Sequence, residues 1–299
     1  MCMLKIKFQF HKNLICIWCM AVWMVVFCSQ ALAVENITPG DFEPLEKKLV
    51  ADGFDASEIQ VIFNKPEVFF NVKSVYRFFI HNESKLNYDQ FTANEVIENA
   101  KKYKEKYYHE LSAAQNETGV DKNIITAIIL VETRLGEITG NSNVFNTLST
   151  MASLDNPIQR EQLWASVSES GDMTKEAFEK KADKKAAWAY KELKAFIQYT
   201  SREKIEPSSI TGSYAGAVGI AQFMPTNILT LAKDGNNDNK IDLFNHADAI
   251  FSIANYLKHS GWQPNIDKQQ AAKVVYHYNH STYYVNTILK IAELLKGNK

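Results

Sequence analysis

Cysteine is missing from everything beyond residue 33. All four cysteines, Cys2, Cys16, Cys19 and Cys28, fall before that point. A chain that has lost this segment can form no disulfide and run no thiol chemistry. Glycine and proline are sparse, 12 and 7 among 299 residues, which excludes collagen-like and low-complexity chains. Charge of one sign is also lacking. The 33 basic and 34 acidic side chains leave no basic excess to bind nucleic acid or an anionic membrane surface. Long apolar runs are absent but for one, Leu14 to Phe27, shorter than the ~20 residues a spanning helix needs.

That run sits where a secretory signal would. Lys5, Lys7 and Lys12 precede it, and Ala31-Leu32-Ala33 follows as a small-x-small cleavage site. Residues 1–33 are expected to direct export and be removed, with an uncleaved anchor as the alternative. Phe27 precedes Cys28 where a lipidation signal wants a small residue. The segment carries three lysines and no acid, so its removal takes the formal charge from −1 to −4.

Beyond it, the pattern is helical. Apolar residues Phe42, Leu45, Leu49, Val50 and Phe54 predict a helix from Asp41, with a restart at Ala56 running to Phe63. Thr92, with Glu95 three residues on, is the expected cap of a long helix towards Gln115. Asp121 is expected to cap a helix from Ile124 to about Gly136. Lys175 to Thr200 is amphipathic, with Phe178, Trp188, Leu193, Phe196 and Ile197 inward. Ala247 to His259 and Thr287 to Leu295 complete the set, and polar Leu154 to Asp172 reads as a loop or insertion with some helical content. Period-two alternation is rare, so the expectation is one all-α domain, 34–299, with a helical N-terminal part up to residue 120.

Four segments carry chemistry. The first is Ile124 to Gly136, apolar nearly all round until Glu132. Glu132 shares a face with Ile128 and Ile129, and a carboxyl there loses hydration, which raises its pKa. A protonated carboxyl near neutral pH is what glycosidic bond cleavage asks of a general acid. The plainer alternative is a charge that marks the helix leaving the core, paired with Arg134 or a lysine.

The second is Gly212 to Thr226, with three glycines and three alanines in fifteen residues. Small residues let backbones approach a ligand or one another. Ser213, Tyr214 and Gln222 offer polar ends, while Tyr214 and Phe223 offer flat faces for a sugar ring. Close helix packing is the alternative. A phosphate loop is excluded because Gly-Lys-Ser/Thr is missing.

The third, Asp234 to Lys240, places oxygen side chains at Asp234, Asn236 and Asp238 and a carbonyl at Lys240. That spacing begins an EF-hand-type calcium loop. Asn239 stands where glycine is usual, and Asn245 is a poor substitute for the bidentate Glu at position twelve. Asp248 could supply the missing carboxylate, Asp242 less readily; a solvated turn is the alternative. The fourth, Tyr276 to Tyr284, concentrates aromatics and hydrogen-bonding groups suited to carbohydrate or to an aromatic cluster.

In this order the segments resemble the B-type lytic murein transglycosylases. The resemblance runs through Val131-Glu132-Thr133-Arg134-x-Gly136, Gly212-Ser213-Tyr214-Ala215-Gly216-Ala217-x-Gly219 and Gln222-Phe223-Met224-Pro225. It continues from the Asp234 loop through Ala254-Asn255-Tyr256-Leu257 and Gly261-Trp262 to Tyr278-Asn279-His280-Ser281-Thr282-x-Tyr284. It implies a lysozyme-like α-domain that cuts the β-1,4 bond between N-acetylmuramic acid and N-acetylglucosamine without adding water. Glu132 would protonate the leaving oxygen, then act as base while the muramyl 6-hydroxyl closes a 1,6-anhydro ring. Ser213, Tyr214, Gln222, Phe223, Tyr256, Tyr278, Asn279 and Tyr284 would contact the glycan. Asp234, Asn236, Asp238, the Lys240 carbonyl and Asp248 would hold a structural calcium ion. Peptidoglycan strands are the implied substrate, other cell-wall enzymes the implied partners, and a monomer the implied state.

The pattern departs from the family in three places. Lys184-Lys185 stands where the family has an arginine pair, and lysine lacks the planar fork that grips carboxylate or acetyl oxygens. The stretch 154–183 is longer than the family pattern. Only about fifteen residues separate Trp262 from Tyr278, where longer relatives carry a small β-rich region. A hydrolytic muramidase and a non-catalytic peptidoglycan-binding protein are the competing readings.

Overall fold

The computed structural model describes residues 42–80, 87–169, 171 and 173–297; the expected export signal lies outside them. From Gly40 to Lys299 the chain forms a single compact unit. Among the described residues it holds thirteen α-helices and one pair of two-residue strands, so the all-α expectation stands.

The N-terminal part contains α1 (Glu43–Ala51), α2 (Ala56–Phe63) and α3 (Val72–Ile80), then a 3-10 turn (Tyr88–Thr92). The expected restart at Ala56 occurs because Asp55 caps α2, accepting from the N–H groups of Ser57 and Glu58. Thr92 does not cap the next helix. It closes the 3-10 turn, its hydroxyl donating to the Asp89 carbonyl at 3.0 Å. Helix α4 (Asn94–Lys106) follows Ala93, which supplies no side-chain cap. Nor does the expected long helix run unbroken. Tyr107 leaves helical geometry (φ −107°, ψ 33°) and divides α4 from α5 (Tyr108–Thr118).

Helix α6 (Lys122–Thr133) is the spine. Asp121 caps it as expected, and residues 123–130 are all buried. Its principal neighbour is α13 (Thr282–Lys296), which begins five residues before the expected Thr287 because Ser281 caps it. Strand β1 (Ser142–Asn143) leads into α7 (Val144–Ala152) and a 3-10 turn (Ser153–Asp155). The polar insertion then forms a full helix, α8 (Pro157–Ser168), started by Asn156 and Pro157. Arg160 fastens it to α9 (Lys175–Glu203), reaching Glu179 at 2.9 Å and Asp183 at 2.7 Å. Phe178, Leu193, Phe196 and Ile197 of α9 are buried as expected, while Trp188 is half-buried.

Strand β2 (Thr211–Gly212) pairs antiparallel with β1, and isolated bridges from Gly212 to Val218 and from Val218 to Phe223 extend the pairing through the glycine-rich loop. The core closes with α10 (Pro225–Leu231), α11 (His246–His259) and α12 (Lys268–Tyr278). Two glycines fix the loop's path. A Cβ on Gly140 (φ +99°) would lie 2.1 Å from the Gly212 carbonyl oxygen, and one on Gly219 (φ +70°) 2.4 Å from that of Leu243. Only glycine fits either place.

Candidate active site

Glu132 occupies the last turn of α6, half-buried, where the helix leaves the core. Helix α13 brings Tyr284, 1% exposed, against it, and the Tyr284 hydroxyl donates to Glu132 Oε1 at 2.7 Å. Three consecutive residues with positive φ, Arg134, Leu135 and Gly136, then turn the chain sharply away. The buried Thr133 holds this turn in place. Its hydroxyl meets the Ile220 carbonyl at 3.2 Å and accepts the Gly136 N–H at 3.1 Å. The end of α6 is thereby tied to the glycine-rich loop.

That loop supplies the adjoining wall. Gln222 sits at φ +49°, and its side-chain amide donates to the carbonyls of Thr139 (3.0 Å) and Gly219 (2.8 Å). Tyr278 donates to the Ala221 carbonyl at 2.5 Å. Phe223, Tyr256 and Tyr278 form an aromatic trio, with ring centroids 4.9 to 6.0 Å apart. Tyr256 donates to the His277 carbonyl at 2.7 Å and borders a groove of about 990 Å³ with Asn227, Asn255 and His259. Asn279 follows Tyr278 at the end of α12, half-buried.

Burial pushes the hydroxyls of Tyr278 and Tyr284 well above the ordinary tyrosine range, and the neighbouring Glu132 charge adds to the effect. Both stay protonated donors wherever the chain is folded near neutrality. A half-buried carboxyl facing such donors can give a proton and take it back without its partners ionising.

The remaining candidates lie further along the same loop or on α9. The Ser213 hydroxyl oxygen accepts the N–H groups of Ala215 (3.2 Å) and Ala217 (3.0 Å), shaping the loop. Tyr214 meets Phe78 edge-on at 6.3 Å, and Phe78 stacks on Trp188 at 5.7 Å. The Lys185 ammonium lies 4.3 Å from the Phe78 ring centre and 5.2 Å from that of Trp188, with burial lowering its pKa. Lys185 and Tyr214 are thus joined through α3, while Lys184 is exposed beside them on α9. Sequence reasoning missed Phe78 and Thr133, whose roles rest on contacts with distant segments.

The Asp234 loop folds around its own oxygens. Asp234 accepts the N–H groups of Asp238 and Asn239, Asn236 that of Asp238, and Asp238 that of Lys240. Asn245 caps α11. Asp248, 1% exposed, spans the loop's two ends, its oxygens accepting from Gly235 and Asp242, each at 2.8 Å. Among the described residues no three acidic, histidine or cysteine side chains converge as a metal-holding group. The donors that suit a hard cation are the side-chain oxygens of Asp234, Asn236 and Asp238 with the Lys240 carbonyl; Asp248, the expected fifth ligand, already has both oxygens bonded to the loop's own N–H groups.

An all-α body in which a buried helix ends at one acidic side chain, faced by a tyrosine from a neighbouring helix, has the lysozyme-like fold. Residues 40–274 match the transglycosylase SLT domain, and the chain belongs to that family. It is 28% identical over 232 residues to membrane-bound lytic murein transglycosylase B of Escherichia coli K12, covering 73% of this chain and 56% of that protein. The chain therefore spans little more than half the length of that relative. The E. coli lytic transglycosylase Slt35 in complex with calcium matches at 23% identity and a TM-score of 0.67, over 86% of this chain and 92% of that one. SltB3 of Pseudomonas aeruginosa in complex with NAG-anhNAM-pentapeptide matches at 19% identity and a TM-score of 0.67, over 86% and 80%. These structural likenesses establish the shared fold.

Proposed function

We propose that this protein is a lytic transglycosylase that cleaves the β-1,4 bond between N-acetylmuramic acid and N-acetylglucosamine in peptidoglycan, leaving 1,6-anhydromuramic ends. The observation that carries this is the hydrogen bond from Tyr284 to Glu132, within a wall built from Gln222, Phe223, Tyr256 and Tyr278. Glu132 gives its proton to the leaving glycosidic oxygen. The same carboxylate then takes the proton of the muramyl 6-hydroxyl as that oxygen closes on C1. No water is consumed, and the carboxyl ends the cycle as it began. The substrate's own N-acetyl group can assist departure, so one carboxyl suffices. Ser213, Tyr214 and Asn279 would position the sugars, with Lys184 and Lys185 further along. The names of the relatives, a murein transglycosylase and a protein holding NAG-anhNAM-pentapeptide, agree with this chemistry.

Calcium would fit the Asp234 loop in this reading, and the relative Slt35 is known in complex with calcium. Asp234, Asn236, Asp238 and the Lys240 carbonyl would hold it, and its role would be to stiffen the entry to α11. Residues 1–33 would export the chain to the periplasm. Among the described residues no helix is long and apolar enough to cross a membrane. The test is release of soluble fragments from purified sacculi. The wild type should clear them and Glu132→Gln should not; equal clearing by both would refute the assignment.

A further inference from the structure

At the far end of the α6–α13 pair lies a groove of about 1320 Å³ that plays no part in the site above. It is walled by α4, the start of α6, the start of α12 and the end of α13. Six lysines line it: Lys101, Lys104, Lys122, Lys268, Lys290 and Lys296. Two are neutralised, Lys101 by Glu98 at 2.7 Å and Lys296 by Glu293 at 3.0 Å and Asp121 at 3.6 Å. Among the described residues no carboxylate pairs with the other four. A second hollow of about 870 Å³ continues it towards Trp262 and shares Lys122, Lys268 and Lys296. Lys122 meets the Tyr108 ring at 4.7 Å and Ser112, so in a chain of almost balanced charge this is a local excess of lysines over carboxylates.

The floor is Lys104. Its ammonium donates to neutral acceptors, Asn123 Oδ1 and the Leu295 carbonyl (2.9 Å). Burial, then the neighbouring Lys122 charge, lowers its pKa against an opposing pull from Asp121, with Lys101 adding a smaller push down. A half-buried cation with other cations beside it is a place where an anion is missing.

We propose that this groove is a second binding site, for the carboxylate-bearing peptide stems of peptidoglycan. The proposal rests on the cell-wall reading of Glu132. Lys122 and Glu132 lie ten residues apart on α6, so groove and carboxyl are ~15 Å apart along the helix. An extended stem of about five residues spans ~17 Å, long enough to lie along the trough and present several carboxylates to it. The concave shape with its half-buried floor suits a chain of carboxylates better than the flat face of a bilayer. The site would hold the enzyme on peptide-bearing wall while the glycan is cut elsewhere.

The test uses a fluorescently labelled stem peptide with free carboxylates, the same peptide amidated, and vesicles of anionic phospholipid. The purified protein should bind the free-acid peptide in a salt-sensitive way. Lys268→Glu with Lys290→Glu, both at exposed positions, should weaken it at least about tenfold, as should amidation. Cleavage of peptide-free glycan strands should keep its kcat and KM in this variant. Binding that ignores the two substitutions, or that is seen with vesicles and not with peptide, overturns the proposal. If the wild type releases no fragments from intact sacculi, the cell-wall reading falls by itself, whatever the peptide does.

Discussion

Tyr284 reaches across 152 residues of sequence to place its hydroxyl 2.7 Å from Glu132 Oε1. The contact joins the first turn of α13 to the last turn of α6, the most extensively packed neighbours around the site. In the proposed mechanism a donor at that distance would orient the carboxyl and steady its charge once the proton has gone to the substrate. Tyr284→Phe removes the donor and leaves the ring. A hydrogen bond to a charged group contributes about 1.5–3 kcal/mol, so kcat should fall roughly tenfold to a hundredfold. Steady-state kinetics on sacculus fragments would show this, with KM changing little.

Gly219 fixes the other wall. With φ at +70° and the Leu243 carbonyl 2.4 Å from where a Cβ would stand, Gly219→Ala must shift backbone on both sides. We expect a loss of about 2 kcal/mol or more in chemical denaturation. Activity should fall further than stability alone explains, because Gln222 donates to the Gly219 carbonyl.

Alkaline pH should act through buried tyrosines. Tyr103, Tyr199, Tyr278 and Tyr284 all have raised pKa values, burial being the largest cause in each. Unfolding lets them ionise near pH ~10, while the folded protein keeps them neutral. The stability they contribute is fully present below that pH and is lost as pH rises past it. Tm should be level from pH 8 to 9.5 and fall steeply above 10. Tyr199→Phe should make the fall shallower, and an unchanged slope would contradict the assignment.

The Asp234 loop separates two kinds of support. Calcium at a hundred times its Kd should raise Tm by roughly 5–10 °C, and chelator should reverse the gain. Asp234→Ala should abolish the calcium response. Asp248→Ala should lower Tm with chelator present as well, because it strips the partners from the N–H groups of Gly235 and Asp242. Calorimetry in calcium and in chelator distinguishes the two.

What could be read in advance follows from locality. Glu132 was legible because eight buried residues precede it on one short helix, and Asp121 and Asp55 because a cap needs only its own next turn. Thr92 misled for the same reason. Its pattern satisfies the capping rule, but the chain spends that residue closing a 3-10 turn and begins α4 at Asn94. The break at Tyr107 carries no glycine or proline to announce it. Its ring stacks on His246 at 4.4 Å, a tertiary contact. Likewise, the sequence shows Lys185 only as a lysine in an arginine's place, because the Phe78 ring 4.3 Å from its ammonium comes from distant α3.

The most direct test of the whole account is the mass of the fragments the purified protein releases from intact peptidoglycan. The account predicts muropeptides ending in 1,6-anhydromuramic acid, one water lighter than hydrolytic products, and none with Glu132→Gln. Reducing-end muropeptides, with water added, would contradict it and make the protein a hydrolase.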